Sequence, residues 1–242
     1  MPNLRFVAAL ALTVALSGQA FALELTDRSV DVAGRLDVKA AAALSDKLLK
    51  LDVDSDRPIY LMITATDGTA QGVSIVADTI RSLKSPVVGV VMTQVYDAGA
   101  ALAPFTDRVL MFPSSGLVFT ELEYEGVKKP EPPPEPKPGE TAPKFKAPTA
   151  TEAMLQKARE QFLERFDARL AKRLNMKAEA YKAALDGGGL MVSADEAVAK
   201  KIAHAVVDQL SFTQLPTVKT EVKVVTTRKD TKIVKPEGDD AK

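Results

Sequence analysis

Two spacings of apolar residues alternate along this chain, and each switch between them marks an element. Val30 and Val32 alternate with polar neighbours and predict a short strand, which Gly34 breaks. A helix is predicted over residues 38–51. Asp37 is placed to cap it, and Ala41, Leu44, Leu48, Leu49 and Leu51 recur on one side. Residues 59–63, after Pro58, and 87–92, after Pro86, are nearly all apolar, as strands covered on both faces are. Between them Thr66-Asp67-Gly68 reads as a turn and residues 73–83 as a helix. Residues 98–103 form a small-residue helix halted by Pro104, and residues 108–112 and 116–119 are two further short strands. Strands alternating with helices imply βαβ units and a largely parallel sheet, hence an α/β fold.

The spacing is helical again from Thr151, with Leu155, Phe162, Phe166 and Leu170 on one face, charged residues opposite, and Asn175 as the stop. A short helix over residues 178–185 runs into Gly187-Gly188-Gly189. That run is no phosphate loop, because no strand precedes it and no Lys-Ser/Thr follows. Ser193 caps the next helix, with Glu196 completing a capping box, and the segment carrying His204 suggests an extra helical turn. Val218, Thr220, Val222 and Val224 alternate with polar residues and predict a C-terminal strand before a charged end. Residues 128–148 hold eight of the fifteen prolines and cannot bury a core, which makes them an extended, solvated linker.

The first residues are a different kind of segment. Residues 6–16 are apolar apart from Thr13, Arg5 precedes them, and Ala20-Phe21-Ala22 follows. This is the pattern of a secretory signal peptide cut after Ala22, which places the protein in the periplasm or outside the cell. The apolar run is shorter than the roughly 20 residues a span requires, and no later segment is long enough, so no membrane span is expected after cleavage. The chain then divides into a leader (1–22), a core in two parts (23–127 and 150–215), a Pro-rich insertion (128–149) between those parts, and a tail (216–242).

Composition narrows the chemistry. With 242 residues, 46% of them hydrophobic and 26% charged, the chain is that of an ordinary globular protein. Thirty-two basic residues balance thirty-two acidic ones, which argues against a nucleic-acid or anionic-membrane partner. No cysteine means no disulfide, thiolate metal site or cysteine nucleophile, and one histidine excludes a histidine-rich metal site within one chain. Neither a cofactor nor a metal is expected.

The order of elements, together with Pro58 to Ile63, Asp78-Thr79-Ile80, the turn near Gln94, Asp107 to Ser115 and Ser193 to Ala197, resembles the proteolytic subunit of Clp protease within the crotonase-like fold. The resemblance runs from about Arg28 to Leu210. It implies a βαβ spiral with a largely parallel sheet, a long handle-like helix and a C-terminal strand. It also implies self-association and a peptide or protein partner. The apolar face of Leu155, Phe162, Phe166 and Leu170 points to the same self-association.

The resemblance further implies a serine on a turn at a helix start, a histidine to take its proton and an acid to orient the histidine. Here the serine's stretch reads Tyr96-Asp97-Ala98-Gly99-Ala100, so Asp97 stands at the nucleophile position. Phe119 stands at the histidine position, and Asp186 lies close to that of the acid. The oxyanion turn keeps one glycine, Gly68, with Asp67 in place of the other. Asp97 is explained as a residue that stabilises the helix start, and Asp67 with Asp97 is the one carboxylate pair suited to acid–base work. Tyr96 reads as a packed wall and Ser114 and Ser115 as structural positions rather than members of a Ser–Lys dyad. His204 lacks a partner pattern. The expected function is therefore an exported Clp-protease-like pseudoenzyme that acts as a scaffold or peptide-binding protein. The alternative is a hydrolase with a carboxylate-based site.

Overall fold

Caps and short apolar runs start and stop the elements of the computed structural model, which describes residues 21–25, 27–126 and 149–212. Strands β1 (Phe21–Leu25), β2 (Ser29–Val32) and β3 (Arg35–Leu36) lead into helix α1 (Val38–Asp54). Asp37 caps α1 by accepting the Ala40 N–H at 2.8 Å. Strand β4 (Ile59–Ile63) and the two-residue strand β5 (Asp67–Gly68) precede helix α2 (Ala70–Ser82), which the Thr69 hydroxyl caps. Strands β6 (Val87–Val91) and β7 (Gln94–Tyr96) then lead into helix α3 (Asp97–Leu102), which tightens into a 3-10 turn over Ala103–Phe105. Strands β8 (Arg108–Met111) and β9 (Gly116–Phe119) follow.

After residue 148 the Thr149–Glu152 capping box starts the long helix α4 (Ala150–Arg173). Asn175 ends it at φ 55°, with the Met176 N–H on the Ala171 carbonyl and the Asn175 N–H on that of Lys172. Helix α5 (Ala178–Asp186), strand β10 (Leu190–Ser193), helix α6 (Ala194–Ala199) and strand β11 (Ala205–Phe212) complete the described chain. Ser193 and Glu196 form the expected capping box of α6.

The main sheet runs β1-β11-β8-β6-β4-β2 with every neighbouring pair parallel. A smaller sheet, β10-β9-β7, mixes one antiparallel and one parallel pair. Central strands β4 and β6 are buried along their lengths apart from the half-buried Tyr60. One face of the main sheet shares its core with Leu48, Val76, Leu102 and Leu170 of the helices. On the other, Leu25, Met62, Val88 and Val90 form a second cluster, edged by half-buried Tyr60, Leu110, Phe112 and Leu210. Arg28, buried, donates to the Leu51 and Ser55 carbonyls at 2.7 and 2.9 Å and to the Ser85 hydroxyl at 3.1 Å, tying the end of α1 to the approach of β6.

Several sequence expectations need correction. Thr66-Asp67-Gly68 is not a free turn, because Asp67 and Gly68 pair in parallel with Arg35 and Leu36. Leu49 is exposed, since α1 buries the narrower stripe Ala41, Leu44, Ser45 and Leu48. Pro104 does not stop the chain's winding. It sits inside the 3-10 turn, whose first residues need no N–H partner. No extra helical turn carries His204. Its N–H donates to the Val109 carbonyl at 2.8 Å and its Nδ1 accepts the Val109 N–H at 3.1 Å, at the entrance to β11. The chain itself covers Phe166 and Leu170 of the α4 face, while Met154 and Leu155 stay 65% and 44% exposed. The strand predicted at residues 218–224 and the proline-rich insertion up to residue 148 lie outside the described residues. Strand β1 includes Phe21 and Ala22, the last two residues of the expected leader.

Gly99 of α3 packs so close to the Ala65 carbonyl that a Cβ there would overlap it. Gly99→Ala therefore displaces α3 or the end of β4, and a loss of about 1–3 kcal/mol is expected. Urea unfolding measures it, and an unchanged midpoint would contradict this packing.

Candidate functional site

Two chain turns meet at one edge of the core. Strand β7 passes directly into α3, and the joint residue, Asp97, has a φ of 46°. A non-glycine residue in that left-handed conformation is strained, and a sharp strand-to-helix joint projects its side chain outward. Beside it, Gly68 touches the start of α3 so closely that a Cβ would lie 2.5 Å from the Leu36 carbonyl oxygen and 2.6 Å from the Ala98 Cβ. Only glycine permits that approach, so the turn resembling an oxyanion site and the turn carrying Asp97 lie side by side.

The side chain that meets Asp97 is Thr120, whose hydroxyl donates to Oδ1. Phe119 is turned into the core. It is 1% exposed and packs edge-on against Tyr181 with ring centroids 6.4 Å apart. Side chains alternate along β9, so Leu117 and Phe119 point into the core and Thr120 falls on the face of Asp97. Asp186 is exposed at the end of α5. The residue set against the Phe119 carbonyl and the Thr120 methyl is Gly189, where a Cβ would lie 2.8 Å and 3.6 Å from them. The contact chain at this edge is thus Asp97, Thr120 and Gly189. Thr120, the side chain bonded to Asp97, carries a hydroxyl and not an imidazole.

Asp67 and Asp97 each have hydrogen-bond partners of their own. Asp67 bonds the Arg35 guanidinium at 2.5 Å through Oδ2, and its Oδ1 accepts the Gly68 N–H at 2.6 Å. That N–H, the donor an oxyanion turn would offer, is therefore occupied by the chain's own carboxylate. Arg35 also bonds Glu123 at 2.6 Å, and the two carboxylates hold its proton more firmly than usual. Tyr96 is 39% exposed and donates to Gln94 at 3.0 Å. Ser115 is buried with its hydroxyl on the Phe112 carbonyl at 2.8 Å, and Ser114 is exposed. Among the described residues no group of three His, Cys, Asp or Glu is placed to hold a metal ion, and no helix is long and apolar enough to cross a membrane.

Sequence spacing missed three of these participants, Thr120, Arg35 and Glu123, and outside them the perturbed carboxyl of Asp167. Thr120 was legible in the β9 alternation, which puts residues 118 and 120 on the face opposite Leu117 and Phe119. Arg35, Glu123 and Asp167 gave no local signal. Asp167, half-buried on α4, has its carboxyl pushed up to about 6, first by burial and then by the charge of Glu121, with Lys182 opposing. Glu121 faces Arg159 at 3.7 Å, and Tyr181 is raised by its burial and by Asp167.

A mixed α/β architecture with a largely parallel central sheet is consistent with the Clp-protease and crotonase-like fold. The Clp protease family model matches residues 17–118, a span similar to a Clp protease domain. The match runs from β1 through most of β9, takes in Asp67, Gly68 and Asp97, and ends one residue before Phe119. No curated protein matches the chain.

The raised Asp167 carboxyl makes stability depend on pH. Between its ordinary value of 3.8 and about 6, the folded protein keeps a proton that the unfolded chain has released. This contribution is full below the lower value and is lost as pH rises through about 6. Asp167→Asn should therefore stabilise the protein at pH 7 by roughly 1–2 kcal/mol, after solvent screening, and leave it unchanged near pH 3.5. Thermal melts across that range measure it. Equal slopes for both proteins would contradict the assignment.

Proposed function

We propose that this protein is an exported, Clp-protease-like pseudoenzyme that binds peptides or acts as a scaffold rather than hydrolysing them. The observation that carries this reading is the Asp97–Thr120 contact at the strand-to-helix joint where the resemblance expects a serine and its proton acceptor. A serine hydrolase needs a hydroxyl to attack and a base to accept its proton, and loss of either costs several powers of ten in rate. At this joint a carboxylate stands in place of the serine, and the Thr120 hydroxyl has only that carboxylate, not an imidazole, to take its proton. The Gly68 N–H adds to this, because Asp67 neutralises the donor that would stabilise a tetrahedral oxyanion.

The unmodified protein is expected not to label with a serine-directed phosphonate and not to cleave unstructured peptides above background. Stoichiometric labelling mapped to any serine would overturn the reading. The register of the contact gives a sharper check. Asp97→Ser with Thr120→His brings a hydroxyl and an imidazole together, and slow labelling at position 97 is expected. Asp97→Ser with Phe119→His places the imidazole against Tyr181, and no labelling is expected.

Export and assembly belong to the same proposal. The charged start, apolar run and Ala-x-Ala end support a cut after Ala22. Exposed Met154 and Leu155 on α4, with the half-buried row along the second face of the main sheet, support self-association. N-terminal sequencing of protein from the periplasmic or extracellular fraction should begin at Leu23, and light scattering should report more than a monomer. Retention of Met1, or a clean monomer at high concentration, would remove the corresponding part.

A further inference from the structure

Past the Asp97 contact the chain does not leave the site. Residues 121–126 run along the start of α2, beside the Gly68 turn. The Ala70 N–H donates to the Glu123 carbonyl at 2.9 Å, and Thr69 and Glu123 form an isolated parallel bridge. The Gln71 side chain closes a two-way bond with the Glu125 backbone, at 3.1 Å to its carbonyl and 3.0 Å from its N–H. Two carboxylates complete the hold, with Glu123 on Arg35 at 2.6 Å and Glu125 on the Val38 N–H at 3.1 Å. Every one of these contacts is of a kind that another extended, acidic peptide could make. The bridge and the Ala70 bond use only main-chain atoms, and Arg35 recognises a carboxylate whatever chain carries it.

The hold is also uneven. Leu122 is buried and anchors the segment at its root, whereas Glu123, Glu125 and Gly126 are exposed. The Arg35–Glu123 pair is 43% and 68% exposed on its two sides, so water and salt weaken it. The part beyond Leu122 is attached by the Ala70 main-chain bond, an exposed ion pair, side-chain bonds at the surface and one half-buried ring, Tyr124, edge-on to Phe162 at 5.3 Å between centroids. This hold is weaker than that of the buried core, and local opening can release it before the fold does.

We propose that residues 123–126 are an autoinhibitory strap, an acidic segment of the chain's own that occupies the Thr69–Gln71 edge and competes there with an extended acidic peptide of a partner. The inference rests on the peptide-binding reading above and specifies its regulation. The edge binds peptide only when the strap is lifted, so the apparent affinity is the intrinsic affinity reduced by the open fraction. Arg35 sets the preference for an acidic residue at the position Glu123 now fills. The strap and the incoming peptide are mutually exclusive, because both require the Ala70 N–H.

The test uses the full mature chain, the variant Glu123→Ala/Glu125→Ala, and a labelled peptide with the sequence of residues 121–126. Both replaced side chains are exposed, and the receptor groups Arg35, Gln71 and Ala70 are left intact. Hydrogen exchange at Ala70 should quicken about tenfold in the double variant, and the peptide should bind it about tenfold more tightly than the unmodified chain. A peptide with each glutamate replaced by lysine should not bind either protein. Adding Arg35→Glu should abolish binding of the acidic peptide and admit the lysine one. Unchanged exchange at Ala70, or equal acidic-peptide affinity in both proteins, would overturn the strap. If the double variant takes unrelated unstructured peptides as well as the acidic one, the acidic strap falls while the peptide-binding reading stands. If neither protein binds any peptide, the peptide-binding reading fails and the strap fails with it.

Discussion

The contact between Gly68 and the start of α3 is the constraint on which the site depends. Two turns can lie side by side there only because Gly68 has no side chain to meet Leu36 and Ala98. Gly99 extends the same close packing to Ala65, two residues beyond β4. These approaches carry Asp97 to the edge of the core, fix its strained φ and bring β5 into register with β3. The parallel main sheet supplies the rigid platform, since β4 and β6 are covered on both faces and cannot shift register without exposing apolar surface.

Around that contact the polar chemistry is turned inward on the chain itself. Thr120 satisfies Asp97, Asp67 satisfies the Gly68 N–H, and Arg35 bridges Asp67 to Glu123. A hydrolytic centre of the serine type keeps a nucleophile, a base and an unfilled oxyanion donor available to substrate. Here the Gly68 N–H, the Asp97 carboxylate and the Arg35 guanidinium are each paired within the fold. Close packing at Ala98 and Gly99 flanks the strained joint.

Much of the fold was legible because it is written in local patterns. Unbroken apolar runs after Pro58 and Pro86 mark β4 and β6, and Asp37, Ser193 and Glu196 cap the helices they were expected to cap. The site was legible only at the positions its stretches of sequence carry directly. Asp97 stands at the strand-to-helix joint beside the Gly68 turn, and the side chain bonded to it is that of Thr120, the residue after Phe119. Along a strand one residue is the difference between the core face and the open face, so Phe119 went inward and Thr120 faced Asp97. Asp186 ends α5 exposed, and the glycines after it carry the chain back so that Gly189 lies against Phe119.

What the sequence alone determined is the α/β class, the parallel order implied by strands alternating with helices, the leader pattern, and the absence of cysteine chemistry. Each follows from composition or from periodicities of a few residues, which the chain carries in any conformation. Only the tertiary structure decided which side chains share a site. Arg35, Asp67 and Glu123 are separated by 32 and 88 positions from the arginine, and no local spacing records their meeting. Asp167 and Glu121 lie 46 positions apart and influence one another only in the folded chain, where burial first and the Glu121 charge second push the Asp167 carboxyl up to about 6. Long-range packing sets both the partners and the solvent exposure of a charged group, and those two quantities fix its chemistry.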